Sequence, residues 1–314
     1  MNMKRLDRKT ILAPFNEELP PQQRTEIAIG ISELIMKIAT HVICYTLVDF
    51  AELLQSDERI SIAHAFLQRA VSTHLCNHKL TQEGIVYEYE GQHFLLHEEY
   101  KTMTLTRTVY EHLAMFYFLF EHPRNAEERD IVWKYWLINS KKNKLGIHAS
   151  EDEQVREEEE TARREIRQLK QEMLNSRLGQ FCADDLTKLT NSKHAQTGSI
   201  EIVNREGQYS VNRLTFAQAW KYLYKDQREG EMMDLQYRYL SIHCHPVYDG
   251  LKQYQEQGTT NQGEDGIPLY FSCSFLAHLC RLFLRQIPHG RDIIRRDFNE
   301  QEQSVFYTLS QLTI

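Results

Sequence analysis

From Gln22 to Gln55 apolar residues recur at helical intervals, at Ile27, Ile31, Leu34, Ile35, Ile38 and Val42. This run constrains the fold most, because it predicts one long amphipathic helix that must bury one face. Only 13 glycines and 7 prolines punctuate the 314 residues, which favours helices over a turn-rich β architecture. A second helix is expected over about Glu58–Lys79, with Ser56 or Asp57 as its N-cap. The period then changes. Ile85–Leu96 sets β-forming residues on both sides of a Glu-Gly turn, and Ser199–Val211 does the same around Arg205-Glu206-Gly207, so each predicts a hairpin. Further helices are expected at Thr102–Phe120, Glu127–Asn139, Thr215–Tyr224, Glu231–His245, Leu269–Arg285 and Phe298–Leu312.

The segment Glu151–Gln171 is the most charged part of the chain, opened by a capping box of Ser150 and Glu153. Glu157–Glu160 lie at helical distance from Arg163, Arg164, Arg167 and Lys170, and the apolar stripe (Val155, Ala162, Ile166, Leu169, Met173, Leu174) is narrow. That predicts a solvated, protruding helix, either structural or offered to a protein partner. The expected fold is therefore mainly α: a helical bundle with two small β-hairpin insertions and a protruding charged helix. Residues 1–20 read as a flexible arm and 21–314 as one domain, with the charged insertion at about 150–180.

Hydrophobic residues make up 41% and charged residues 26%, an ordinary soluble balance. A net charge of −7 exerts no general pull toward nucleic acid, so contact with RNA needs a local basic patch. Arg281, Arg285, Arg291, Arg295 and Arg296, with His289, are the candidates, and they would equally form a structural patch facing the acidic 151–160 segment. No continuous apolar region follows the basic residues near Met1, and Ile27–Phe50 carries Glu33, Lys37 and His41, which marks a core helix; no membrane association is expected. Six cysteines without a Cys-x-x-Cys pair read as reduced thiols in a cytoplasmic protein.

Chemistry concentrates in Tyr237–Gly250. Asp234, Arg238, Ser241 and His245 line one helical face, and Leu235, Tyr239 and Ile242 line another that should be the buried one. Pro246 stops the helix and leaves His245 at an exposed end. Arg238 would hold a phosphate while His245 moves a proton beside the Ser241 hydroxyl; the same residues would equally serve as a capped, salt-bridged helix end. A spacing of seven aligns His245 with Arg238, whereas His243 diverges and is left a binding role. Spacing alone is a weak signal, since Arg69/His74 and Arg107/His112 repeat the spacing of five between Arg238 and His243.

Arg107 and Glu111 can pair at i, i+4, either as a partly buried salt bridge or as substrate-binding groups. His74 and His78 share a helix face but lack the Glu of a His-Glu-x-x-His site, and His243-Cys244-His245 puts ligands on diverging faces. No metal is expected, and these histidines read as surface or capping residues. The absence of Gly-x-Gly-x-x-Gly, Walker A and Gly-x-Ser-x-Gly patterns removes support for a nucleotide cofactor or an α/β-hydrolase.

Tyr237-Arg238-x-Leu240-Ser241-x-x-x-His245-Pro246 resembles the C-terminal motif of a bacterial helical family of unknown function. An earlier helix in that family carries Arg-x-x-x-Glu before aromatic and aliphatic residues, matched here by Arg107-Thr-Val-Tyr-Glu111-His-Leu-Ala-Met-Phe. The architecture is also similar to that of HEPN proteins, helical bundles that often act as metal-independent RNases in bacterial defence and toxin systems. The resemblance implies a homodimer acting on RNA, with paired helices bringing two Arg/His sets to one cleft. Tyr239 departs from the polar residue (Asn, His or Asp) usual after the arginine, which weighs against nuclease activity. The functional expectation is a non-catalytic interaction module, with a HEPN-like RNase or RNA-binding effector as the alternative.

Overall fold

The computed structural model describes residues 19–96, 99–145, 153–192, 198–224, 227–244 and 266–311. Most of the expected N-terminal arm lies outside them. The chain begins with α1 (Pro21–Asp49), α2 (Ala51–Ser56), α3 (Glu58–Glu83), the hairpin β1 (Ile85–Tyr89) and β2 (Gln92–Leu96), and α4 (Glu99–Phe116). A π-helical turn, Tyr117–Glu121, leads to α5 (Ala126–Lys144), α6 (Glu153–Asn175), α7 (Arg177–Phe181) and α8 (Ala183–Thr190). The second hairpin, β3 (Ser199–Arg205) and β4 (Gln208–Leu214), precedes a 3₁₀ turn and α9 (Trp220–Leu223). Last come α10 (Gln227–Cys244), α11 (Ile267–Phe283), α12 (Gly290–Asp297) and α13 (Glu300–Leu309). The protein is mainly α-helical, as expected.

The contacts divide the chain into two compact units, residues 1–116 with 224–314, and residues 117–223. The sequence suggested one bundle because no low-complexity linker interrupts it.

In the first unit α11 is the central helix. Every side chain from Pro268 to Phe283 is buried except His278 and Arg281, so it is apolar almost all round and packs against α1, α3 and α4. By length and composition α1 could cross a membrane, but Ala28, Ile31, Ile38 and Val42 are fully buried within this unit. Its apolar face is spent on the core. The expected single helix to Gln55 is interrupted at Phe50. Asp57 opens α3, its carboxylate accepting from the Arg59 and Ile60 N–H groups at 2.8 and 3.1 Å. On the far side, α10 lies against α4.

In the second unit the charged α6 lies along α5, burying Ala162, Ile166 and Met173 while its Glu/Arg face stays in solvent. The β3–β4 register pairs Ser199 with Leu214 and Arg205 with Gln208, leaving a two-residue turn of Glu206 and Gly207 at φ 52° and 88°. Such a turn matches the strand twist and needs the left-handed region, which Gly207 enters without cost. Gly179 has a different reason: a Cβ there would lie 1.9 Å from the Met173 carbonyl oxygen. Only glycine lets α7 close onto the end of α6.

Candidate functional site

The helix α10 is held on α4 by one mixed cluster. Arg107 donates from Nε to Glu111 Oε1 at 2.9 Å, and the Tyr237 hydroxyl donates to the same oxygen at 3.4 Å. The Arg107 guanidinium also sits 5.4 Å from the Tyr237 ring centroid. Tyr237 meets Tyr110 at 5.1 Å between centroids, and Tyr110 meets Phe275 at 5.2 Å, so the cluster continues into the apolar core. Burial, reinforced by the Glu111 carboxylate, pushes the Tyr237 phenol up, which keeps it a neutral donor. Arg107 and Glu111 are 20% and 28% exposed, so their attraction is only partly screened.

The helix is rotated relative to the sequence expectation. Leu235 and Tyr239, expected to face the core, are 69% and 42% exposed, whereas Leu240 is buried and Tyr237 half-buried. Both stripes are apolar, so periodicity alone could not choose between them. Tyr237 wins because its ring stacks into Tyr110 while its hydroxyl reaches Glu111. Arg238 consequently points away from the Arg107 cluster, 73% exposed and bound to Asp234 at 2.8 Å. The Ser241 hydroxyl donates to the Tyr237 carbonyl at 2.6 Å. The structure thus joins Arg107 and Glu111 to Tyr237, but leaves Arg238 and Ser241 in local, intrahelical bonds. The side chain of His243 and all of His245 lie outside the described residues.

Sequence reasoning missed a buried polar network in the first unit. His74 and His78, expected at the surface or as caps, are 0% and 6% exposed. Ser32 Oγ lies 2.8 Å from His74 Nε2 and 2.9 Å from His78 Nδ1, and Ser272 Oγ lies 2.6 Å from His74 Nδ1. Burial, with a smaller effect from His78, pushes His74 down to about 3. The ring is neutral and therefore has one donor and one acceptor, so the serine hydroxyls must orient in concert around it. Next to it, Asn77 donates to Thr106 Oγ1 at 2.8 Å, which donates to the Pro268 carbonyl at 2.9 Å. The i, i+4 histidine pair does converge on one point, but the atom between them is a serine oxygen. Among the described residues no group of three or more metal-ligating side chains gathers. The available signal was polar Ser32 and Ser272 set inside apolar helical stripes.

Two arginines of the basic cluster are bound to local partners. Arg296 forms two bonds to Asp297, at 2.7 and 2.9 Å, and Arg281 donates to the Ser310 carbonyl at 3.2 Å. Arg281 is held below the usual arginine range by burial and by Arg285 and Arg291.

The second unit contains an open cleft of about 350 Å³ between the start of α5, α7 and the β3–β4 hairpin. Arg124 braces it, donating to the almost fully buried Glu128 and to the Ile202 carbonyl. Glu127 Oε1 accepts from the Leu178 N–H at 2.6 Å, pinning α7. Phe181, 58% exposed, stacks on Tyr209 with centroids 5.2 Å apart and planes 17° apart.

A family model described as "Family of unknown function (DUF5677)" matches residues 95–264, a span that includes the Arg107 cluster, the cleft and α10. No curated protein and no solved structure matches the chain.

Proposed function

Because the chain belongs to this family of unknown function, we propose a role from its geometry: a non-catalytic interaction module that pairs with a second copy through the outer face of α10. The observation that carries this reading is the exposure of Leu235 and Tyr239, one turn apart, beside the Asp234–Arg238 pair. Large apolar side chains on the outer face of a helix favour association, and Tyr and Arg are enriched at the centres of interfaces. A two-fold contact must be self-complementary. With two α10 helices crossing about a two-fold axis, Asp234 of each copy meets the partner's Arg238 around a Leu235/Tyr239 centre. The same local bonds argue against catalysis: the Ser241 hydroxyl is committed to a backbone carbonyl and Arg238 to a carboxylate.

The second reading is a HEPN-like, metal-independent RNase or RNA-binding effector of a defence or toxin system, favoured by the solvent reach of Arg238. For either reading we assign a cytoplasmic setting, supported by free cysteines at 44, 76, 182, 273 and 280.

Light scattering on the full chain tests the proposal. Wild type should be dimeric at micromolar concentration and Leu235→Asp monomeric with an unchanged melting temperature. Arg238→Asp should weaken the dimer and the double reversal Asp234→Arg/Arg238→Asp restore it. A wild-type monomer, or a dimer indifferent to Leu235→Asp, overturns the pairing. RNA cleavage by wild type in EDTA, lost in His245→Ala, overturns the non-catalytic assignment.

A further inference from the structure

The cleft in the second unit belongs to none of the roles above, and its chemistry is specific. Its aromatic component is Phe181, more than half exposed yet held in place by stacking on Tyr209. A backed ring with solvent over it is a platform for another planar ring. Arg177 lies four residues earlier on α7 and so rises from the same side of that helix. Among the described residues no carboxylate lies at ion-pair distance from Arg177, whereas Arg124 is already committed to Glu128 and a backbone carbonyl. Arg177 is therefore the cation available to a ligand.

Three further groups line the cleft with one half of their hydrogen-bonding capacity used. Asn125 accepts from the Glu128 N–H at 2.9 Å and Asn204 from the Gly207 N–H at 2.9 Å. Each spends its amide oxygen on the backbone and keeps its NH₂ to donate. Glu127 spends Oε1 on Leu178 and keeps Oε2 to accept. The cleft thus offers an aromatic face, one guanidinium, two amide donors and a carboxylate acceptor. Nucleobases carry amine donors and ring acceptors on one planar edge, and arginine is suited to a phosphate. A ligand with these complementary parts is a nucleotide, and the volume lies in the range of small-molecule sites.

We infer that this cleft binds a nucleoside monophosphate unit, with the base on Phe181, its polar edge toward Glu127 and the asparagines, and the phosphate on Arg177. The inference rests on the second unit alone and is independent of α10. The unit can come from a free mononucleotide or from the end of a single-stranded RNA.

Calorimetric titration of the full chain with AMP, GMP, CMP and UMP, alongside the nucleosides and inorganic phosphate, tests it. At least one mononucleotide should bind saturably in the micromolar range and tighter than its nucleoside or phosphate. Phe181→Ala should weaken that binding by roughly 5- to 150-fold, the range for loss of one base–aromatic stack. Arg177→Gln should bring the nucleotide down to the affinity of the nucleoside and remove its salt dependence. Both side chains are at the surface, so both variants should melt as wild type does. Competition by a short 5′-phosphorylated RNA below the concentration needed for the mononucleotide identifies an RNA end as the source; the reverse identifies a free nucleotide. Absence of saturable binding by all four mononucleotides overturns the inference, as does wild-type affinity in both variants.

Discussion

Ser32→Ala probes the buried network most directly. The substitution removes one oxygen and leaves two histidine nitrogens without it, His74 Nε2 at 2.8 Å and His78 Nδ1 at 2.9 Å. Stranding a buried polar group costs about 1–3 kcal/mol. His74 is fully enclosed and takes the upper part of that range; its nearest substitute is Cys273 Sγ at 3.9 Å, a poor donor. His78 keeps 6% exposure and takes the lower part. The expected loss is about 2–4 kcal/mol, a large share of the 5–15 kcal/mol usual for a domain. The melting temperature should fall by about 4–16 °C. Far-UV ellipticity should report the change, because it senses every helix. Tryptophan emission provides a separate channel, since the three tryptophans, Trp133, Trp136 and Trp220, all belong to residues 117–223. Ser56→Ala is the control: an exposed hydroxyl 2.8 Å from the Glu52 carbonyl, with an expected effect within about 0.5 kcal/mol. A Ser32→Ala loss as small as the control's would refute the view that this hydroxyl organises the core.

Arg107→Ala should cost about 1–2 kcal/mol, because Glu111 loses a bond yet keeps 28% exposure and the Tyr237 hydroxyl; an unchanged melting temperature would place the pair outside the structural core. Acid should weaken the first unit before any carboxylate titrates. His74 is held at about 3 when folded against 6.5 unfolded, so below pH 6.5 the unfolded chain binds the extra proton and stability declines down to about pH 3. The slope is about 1.4 kcal/mol per pH unit for each such group, with His64 and His78 shifted in the same direction. Equal urea midpoints at pH 7 and pH 5 would contradict it.

What the sequence determined by itself is local. Most helices and both hairpins fall where apolar period, the Asp57 cap and the Glu-Gly turns placed them, because these depend on neighbours a few residues apart; the exceptions are the break at Phe50 and Thr215–Tyr224, which forms a 3₁₀ turn and the short α9 in place of one helix. The Arg107–Glu111 pair was legible for the same reason: four residues on a helix bring the two groups together in any fold. The helices α8 and α12 escaped notice because each is only eight residues long, and α12 carries five charges, so their apolar patterns are weak. Tertiary structure decided the rest. On α10 two apolar stripes compete, and only the presence of Tyr110 and Glu111 across the contact selects Tyr237 over Leu235 and Tyr239. Ser32, His74 and Ser272 meet across 42 and 198 residues of chain, and no spacing rule spans such distances. The cleft likewise draws Arg124, Phe181 and Tyr209 from three separate elements, so its chemistry exists only once α7 has closed onto α6 at Gly179. Packing selects among surfaces that are equivalent in the linear pattern, because the energy of a contact depends on what faces it as well as on the residue that makes it.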